Sequence, residues 1–174
     1  VEGYAPRETD FGSGADRFAS VLDQVTALIN VPFLKTHNIA TMTCCLKNLS
    51  HGLVKHPGRY HANGCSPFIA DIAAAAPIRG KLRLNVVDAL RVVCEGGPSV
   101  VIGGVRDAGC LLMSADPVAA DLVGLATLNE IRAREGMSLL RFSATGGSNY
   151  LETASQRGLG RSEWHQIDTV DVVN

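Results

Sequence analysis

The strongest constraint in this sequence is a change of apolar period along the chain. From Val25 to Phe33, the residues Val25, Ala27, Ile29, Val31 and Phe33 recur at every second position, which places them on one face of a strand. From Lys81 to Leu90 the same period puts Leu82, Leu84, Val86, Asp88 and Leu90 together, and Ala108 to Met113 reads as a further strand. Between these runs the period lengthens. Ile39, Met42, Leu46, Leu49 and Leu53, within Asn38 to Val54, stand at spacings of three and four, a helical stripe. A second helix runs from Phe68 to Ala76, bounded by Pro67 and Pro77. Asp116 and Pro117 form an N-cap and first-position pair that opens a third helix to about Arg134, closed by Gly136. Strands that alternate with helices predict one α/β domain, a layered sandwich with a largely parallel or mixed sheet.

The flanks carry weaker signals. Residues 1 to 12 are polar and read as an arm or loop, which leaves 13 to 174 as the single domain. Ser13 is placed to cap a short helix over Ala15 to Leu22. Tyr150 to Arg157 has a helical pattern, and a last strand is expected near Gln166 to Val173.

Composition narrows the function classes. With 16 Lys+Arg against 17 Asp+Glu and 5% aromatic residues, the chain has neither the basic surface nor the stacking platforms of a nucleic-acid module. No apolar run reaches the roughly 20 residues of a membrane span, because Asp71 and Asp121 interrupt the two candidates. Five cysteines, an odd number with no C-x-x-C pair, argue against a disulfide scaffold and for the reducing cytoplasm. They also form no complete iron–sulphur motif, so the residues name no cofactor.

The local charge pattern is more informative than the total. From Gln24 to Ala70 there is no Asp or Glu, yet this window holds Lys35, Lys47, Lys55 and Arg59, together with His37, His51, His56 and His61. Cations with no acid to quench their field attract phosphate or carboxylate; the plainer account is a solvated face whose counter-charges come from elsewhere in the fold. Lys35, Thr36 and His37 directly follow a strand, and small-molecule sites in α/β sheets gather at strand carboxyl ends. Asp88 is expected at another such end. These positions make Lys35, Thr36, Lys47 and Asn48 the candidate anion-binding residues and His37 and Asp88 the candidate catalytic pair, His37 moving a proton and Asp88 orienting a cation or a histidine. The same window suggests a rival metal site at His56, His61 and Cys65, while Cys44 and Cys45 suit core packing. Asp121, flanked by Val118 and Leu125, and Asp71, flanked by Phe68 and Ala75, each need a partner if buried.

Several blocks together resemble a known family. Ile29-Asn30-Val31-Pro32, Leu34-Lys35-Thr36-His37, Leu46-Lys47-Asn48-Leu49, Gly96-Gly97-Pro98, Ser114 to Asp121 and Gly158-Leu159-Gly160 are similar, in order and approximate spacing, to the blocks of domain-of-unknown-function family 362. The resemblance implies an α/β domain, bacterial or archaeal, sometimes joined to ferredoxin-like cysteine motifs. It marks Lys35, His37, Lys47, Asn48, Asp116 and Asp121 as motif positions without catalytic roles. Those cysteine motifs and the family's usual first strand and helix are missing here, which implies a homo-oligomer or an absent upstream segment. The resulting expectation is a domain that binds an anionic small molecule, as an enzyme linked to redox metabolism. The alternative is a non-catalytic metal-binding or iron–sulphur-associated redox partner.

Overall fold

A computed structural model of the chain describes residues 3–142 and 149–172. Its centre is one long strand. Strands β1 (Thr9–Asp10) and β2 (Ala15–Asp16) form a small antiparallel ribbon, and β3 (Leu28–Asn30), β4 (Phe33–His37) and β5 (Thr41–Thr43) follow. Helices α1 (Cys45–His51), α2 (Phe68–Ala74) and α3 (Ala76–Arg79) lead to β6 (Leu82–Val93) and β7 (Val105–Ser114), and α4 (Pro117–Arg134) and α5 (Tyr150–Gln156) close the order. β7 pairs antiparallel with β6 from Asn85 to Val93 and fills one edge of it. β3 and β4 therefore share the other edge, both parallel to β6, and β5 pairs antiparallel outside β4. The sheet is mixed, as the alternating periods predict.

The strand expected over 25–33 is really two. Pro32 has no N–H to donate, so the ladder breaks at Val31 and Pro32, although the Pro32 carbonyl still accepts from Asp88 N at 2.8 Å. The helix expected over 38–54 is corrected to a turn, the strand β5 and the shorter helix α1. Its stripe mixed residues from different elements: Met42 is buried from β5 between two β-branched threonines, whereas Leu46 and Leu49 are buried from α1. Nor does the segment after Ser13 coil as expected, because β2 and a 3-10 turn at Ser20–Asp23 take its place. Of the last strand, residues 167–172 show none and a 3-10 turn occupies Trp164–Gln166. The arm, for its part, folds back: β1 pairs with β2, and Phe11 meets Tyr60 edge-on at 5.3 Å.

Among the described residues the sheet carries helices on one face. That face buries Leu34, Val87, Ala89 and Val92 against Leu128 and Ile131 of α4, each large side chain contributing roughly 1.5–3 kcal/mol. A second core joins α1, α2 and α5 through Leu46, Leu49, Ile69, Ile72 and Tyr150. The apolar faces read from the sequence are the opposite ones. Ile29, Val31, Phe33, Leu90, Leu111 and Met113 are exposed, Val31 by 63%.

Asp121 ties the two cores together. It is wholly buried on α4, and its Oδ1 accepts from Cys45 N at 2.6 Å while Leu46 N lies 3.3 Å from Oδ2. α1 has no capping side chain of its own, so α4 supplies one from across the fold. Burial pushes the Asp121 carboxyl up to about 7, against the donors from Cys44, Cys45 and Leu46 that favour its charged form. Asp71, also buried, pairs with Arg157 at 2.6 Å and anchors α5 to α2.

Replacing Asp121 by Ala should cost about 1–3 kcal/mol in urea denaturation, since it orphans buried N–H groups at the start of α1. A loss within the ~0.5 kcal/mol usual for surface sites would show that α1 does not depend on this cap. The pH dependence has a definite sign. With a folded pKa near 7 against an ordinary 3.8, Asp121 adds stability at low pH that is lost as pH rises toward 7. Wild type relative to Asp121→Asn should therefore lose about 2 kcal/mol between pH 5 and pH 7.

Candidate functional site

The carboxyl end of β4 delivers Thr36 and His37 to a tight turn. His37 Nδ1 accepts from two backbone donors, Ile39 N at 3.1 Å and Ala40 N at 3.2 Å, and so holds the turn that returns the chain into β5. A nitrogen that accepts two N–H bonds carries no proton, so the neutral ring bears its hydrogen on Nε2. Burial, reinforced by the positive charge of Lys47 and by His61 and Lys35, depresses the His37 pKa to about 4. His37 is thus neutral at pH 7, with Nδ1 occupied by backbone donors. Thr36 Oγ1 accepts from Gly97 N at 3.1 Å, and this backbone approach requires glycine: a Cβ on Gly97 would lie 1.9 Å from the Thr36 carbonyl oxygen.

Behind His37 lies a second layer of nitrogen and sulphur groups. Lys47 and His51 are one helical turn apart on α1, hence on one face. The loop before α2 adds His61 and Cys65. The rings of His37 and His61 stack with centroids 5.7 Å apart, and those of His51 and His61 meet edge-on at 4.8 Å. Lys47 Nζ sits 3.2 Å from His61 Nε2 and also bonds the Cys65 side chain. Desolvation lowers Lys47 to about 8 despite the opposing pull of Cys65, and it lowers His51 to about 3. Asn63, Gly64 and Cys65 have φ of 51°, 65° and 67°, three consecutive left-handed residues that fold the Cys65 thiol inward to full burial. For Asn63 and Cys65 that conformation is strained.

A cleft of about 790 Å³ opens in front of these groups, lined among others by Thr36, His37, Asn63, Gly97, Arg132 and Arg141, with Glu95 its acid. Arg132 donates to the carbonyls of Ser138, at 2.7 Å, and Cys94. Both acceptors are neutral and leave its charge uncompensated. Arg141 makes no ion pair among the described residues.

The structure thus brings His37, Lys47, His61 and Cys65 together, with Thr36 beside them and Lys35 near enough to act on His37 and Lys47. Two expected members lie elsewhere. His56 belongs to another site, where its ring pairs with buried Asp16 at 2.9 Å and its N–H bonds the same carboxylate. Asp88 is not at a strand end, because β6 continues to Val93. It sits in mid-strand on the open face between Phe33 and Leu111, where its carboxylate accepts from Leu90 N. Asn48, itself exposed, turns toward a buried amide pair, its Nδ2 donating to Asn30 Oδ1 while Asn30 Nδ2 reaches Asn85 Oδ1, both at 2.8 Å. Asp116 caps α4 through Val118 N and Ala119 N, and its other oxygen takes Arg161 N at 2.8 Å, the tail held so close that a Cβ on Gly160 would overlap it. His51, Arg132 and Arg141 were missed. Only His51 had a readable signal, its four-residue spacing from Lys47.

With the fold and this cluster defined, the class is an α/β domain whose polar site lies at the carboxyl end of a sheet strand. The chain belongs to the family described as Domain of unknown function (DUF362), whose model matches residues 7–126. No curated protein and no solved structure matches it significantly.

Imidazole nitrogen NMR should find His37 in the Nε2–H form at pH 7 and still neutral at pH 5.5; titration near the ordinary 6.5 would contradict its burial among cations. Gly97→Ala must push the Thr36 strand end and the cleft wall apart, so we expect a loss of about 1–3 kcal/mol in thermal or urea unfolding.

Proposed function

We propose that this protein binds a small anionic molecule, one bearing a carboxylate or phosphate, in the cleft at the end of β4. One observation carries this reading: Arg132, Arg141 and His37, neutral at pH 7, line one cavity that has Glu95 as its acid. Guanidinium groups give such an anion charge-assisted hydrogen bonds. Lys47 and Lys35 add positive potential from behind His37, and this field reinforces the burial that keeps the imidazole neutral. A neutral imidazole donor can bind an anion or polarise its oxygen without taking up a proton. The link to redox metabolism rests on the family likeness alone and adds nothing to the recognition argument.

Inorganic phosphate and a small dicarboxylate, titrated in turn while backbone amide shifts are followed, test the proposal. Responses should centre on residues 36–41, 63–64 and 95–97, and Arg141→Met should weaken binding about tenfold. Binding should also raise the His37 pKa, because a nearby anion favours the charged ring. Responses confined to other residues would refute the reading.

A further inference from the structure

We propose that His51, His61 and Cys65 form a binding site for one first-row transition-metal ion. One ligand atom from each of the three lies within 4.8 Å of the other two. In a tetrahedral zinc site, with Zn–N near 2.0 Å and Zn–S near 2.3 Å, ligand atoms stand roughly 3.3–3.8 Å apart. Side-chain rotations of about an ångström close that difference.

The hydrogen bonds around both histidines are those a metal site requires. A carbonyl only accepts, so His51 Nε2, 3.0 Å from the Tyr60 oxygen, carries a hydrogen and leaves the lone pair on Nδ1. Ser50 Oγ lies 3.1 Å from that Nδ1 and 2.8 Å from the Leu46 carbonyl, so the hydroxyl has a second acceptor for its one proton when a metal ion takes the Nδ1 lone pair. The carbonyls of Pro57 and Gly58 lie close enough to the His61 ring to favour a proton on it, while its Nε2 faces Lys47 Nζ at 3.2 Å. Ligating histidines almost always donate their second N–H to a carbonyl or carboxylate in this way, which fixes tautomer and ring orientation. Cys65 enters through the left-handed run Asn63-Gly64-Cys65, a backbone arrangement that serves to aim one side chain inward.

Two imidazoles and a thiolate suit zinc, copper, nickel or cobalt and disfavour calcium and magnesium. Loading is a ligand exchange with a simple balance: the divalent ion takes the Cys65 sulphur, the thiol proton leaves to solvent, and Lys47 gives up its hydrogen bond to His61 Nε2. Three protein ligands leave a fourth position for water or another ligand. The site differs from the one suggested by sequence spacing in a single residue, His51 for His56.

Cobalt(II) is the probe, titrated into the full chain purified without a histidine tag in phosphate-free buffer. We expect one equivalent bound, with a near-ultraviolet thiolate-to-cobalt charge-transfer band and one proton released from the thiol. Cys65→Ser should abolish the band, His61→Gln should weaken cobalt binding at least tenfold, and His56→Gln should leave both unchanged, with circular dichroism showing each variant folded. If a variant does not fold, the band in wild type and its competition by zinc decide the matter. Stoichiometric cobalt without a thiolate band, no cobalt binding, or loss of the band in His56→Gln with retention in His61→Gln would each overturn the proposal. None of these outcomes bears on phosphate binding, so the cleft reading stands or falls separately.

Discussion

The carboxylate of Asp121 holds the structure together. α1 starts without a capping side chain, yet it must start where it does for Lys47 and His51 to reach the loop that carries His61 and Cys65. The cap comes from α4, which packs on the sheet. One buried group therefore fixes the helix of the polar cluster relative to the strands of the cleft. Its burial is costly for a charge, and two backbone donors offset that cost in part. Asp116 plays a similar part at the start of the same helix, capping α4 and holding the tail.

Charge without counter-charge is the second organising constraint. Lys47 is buried with nitrogen and sulphur neighbours and no acid beside it, and its field adds to the burial that lowers the pKa of His37, His51 and His61. Neutral imidazoles with fixed tautomers are what both an anion cleft and a metal site need, but from opposite sides of the cluster. His37 lines the cavity with its Nδ1 held by backbone amides, whereas His51 holds its Nε2–H on the Tyr60 carbonyl and His61 Nε2 faces Lys47. Backbone carbonyls and amides set this division, because each holds one ring nitrogen in a single role.

The open face of the sheet is a further consequence of how β3, β4, β6 and β7 assemble. Its residues Ile29, Val31, Phe33, Leu111 and Met113 are exposed, and Asp88 stands among them at half burial. The face toward the helices instead carries Asn30 and Asn85, joined by a hydrogen bond, between smaller apolar side chains. Amide pairing satisfies polar groups that the helix layer would otherwise strand.

Periodicity alone determined that strands and helices alternate, that α4 runs from Pro117 to Arg134 behind its Asp116 cap, and that Asp121 and Asp71 need buried partners. These are local signals, since caps, prolines and apolar spacing act within one or two turns of chain. The acid-free window likewise made Lys47, His37, His61 and Cys65 legible as one charged neighbourhood. Tertiary structure alone decided which face of the sheet is covered, because period two marks two faces without saying which one meets the helices. It also decided that His51 and not His56 joins the cluster. His56 lies nearer to His61 and Cys65 in the chain, but the pull of buried Asp16 turns it elsewhere, and a helical turn from Lys47 brings His51 in. Arg132 and Arg141 reach the cleft from α4 and the loop after it, far from β4 in sequence. No local pattern encodes that meeting, since it comes from packing α4 across the sheet.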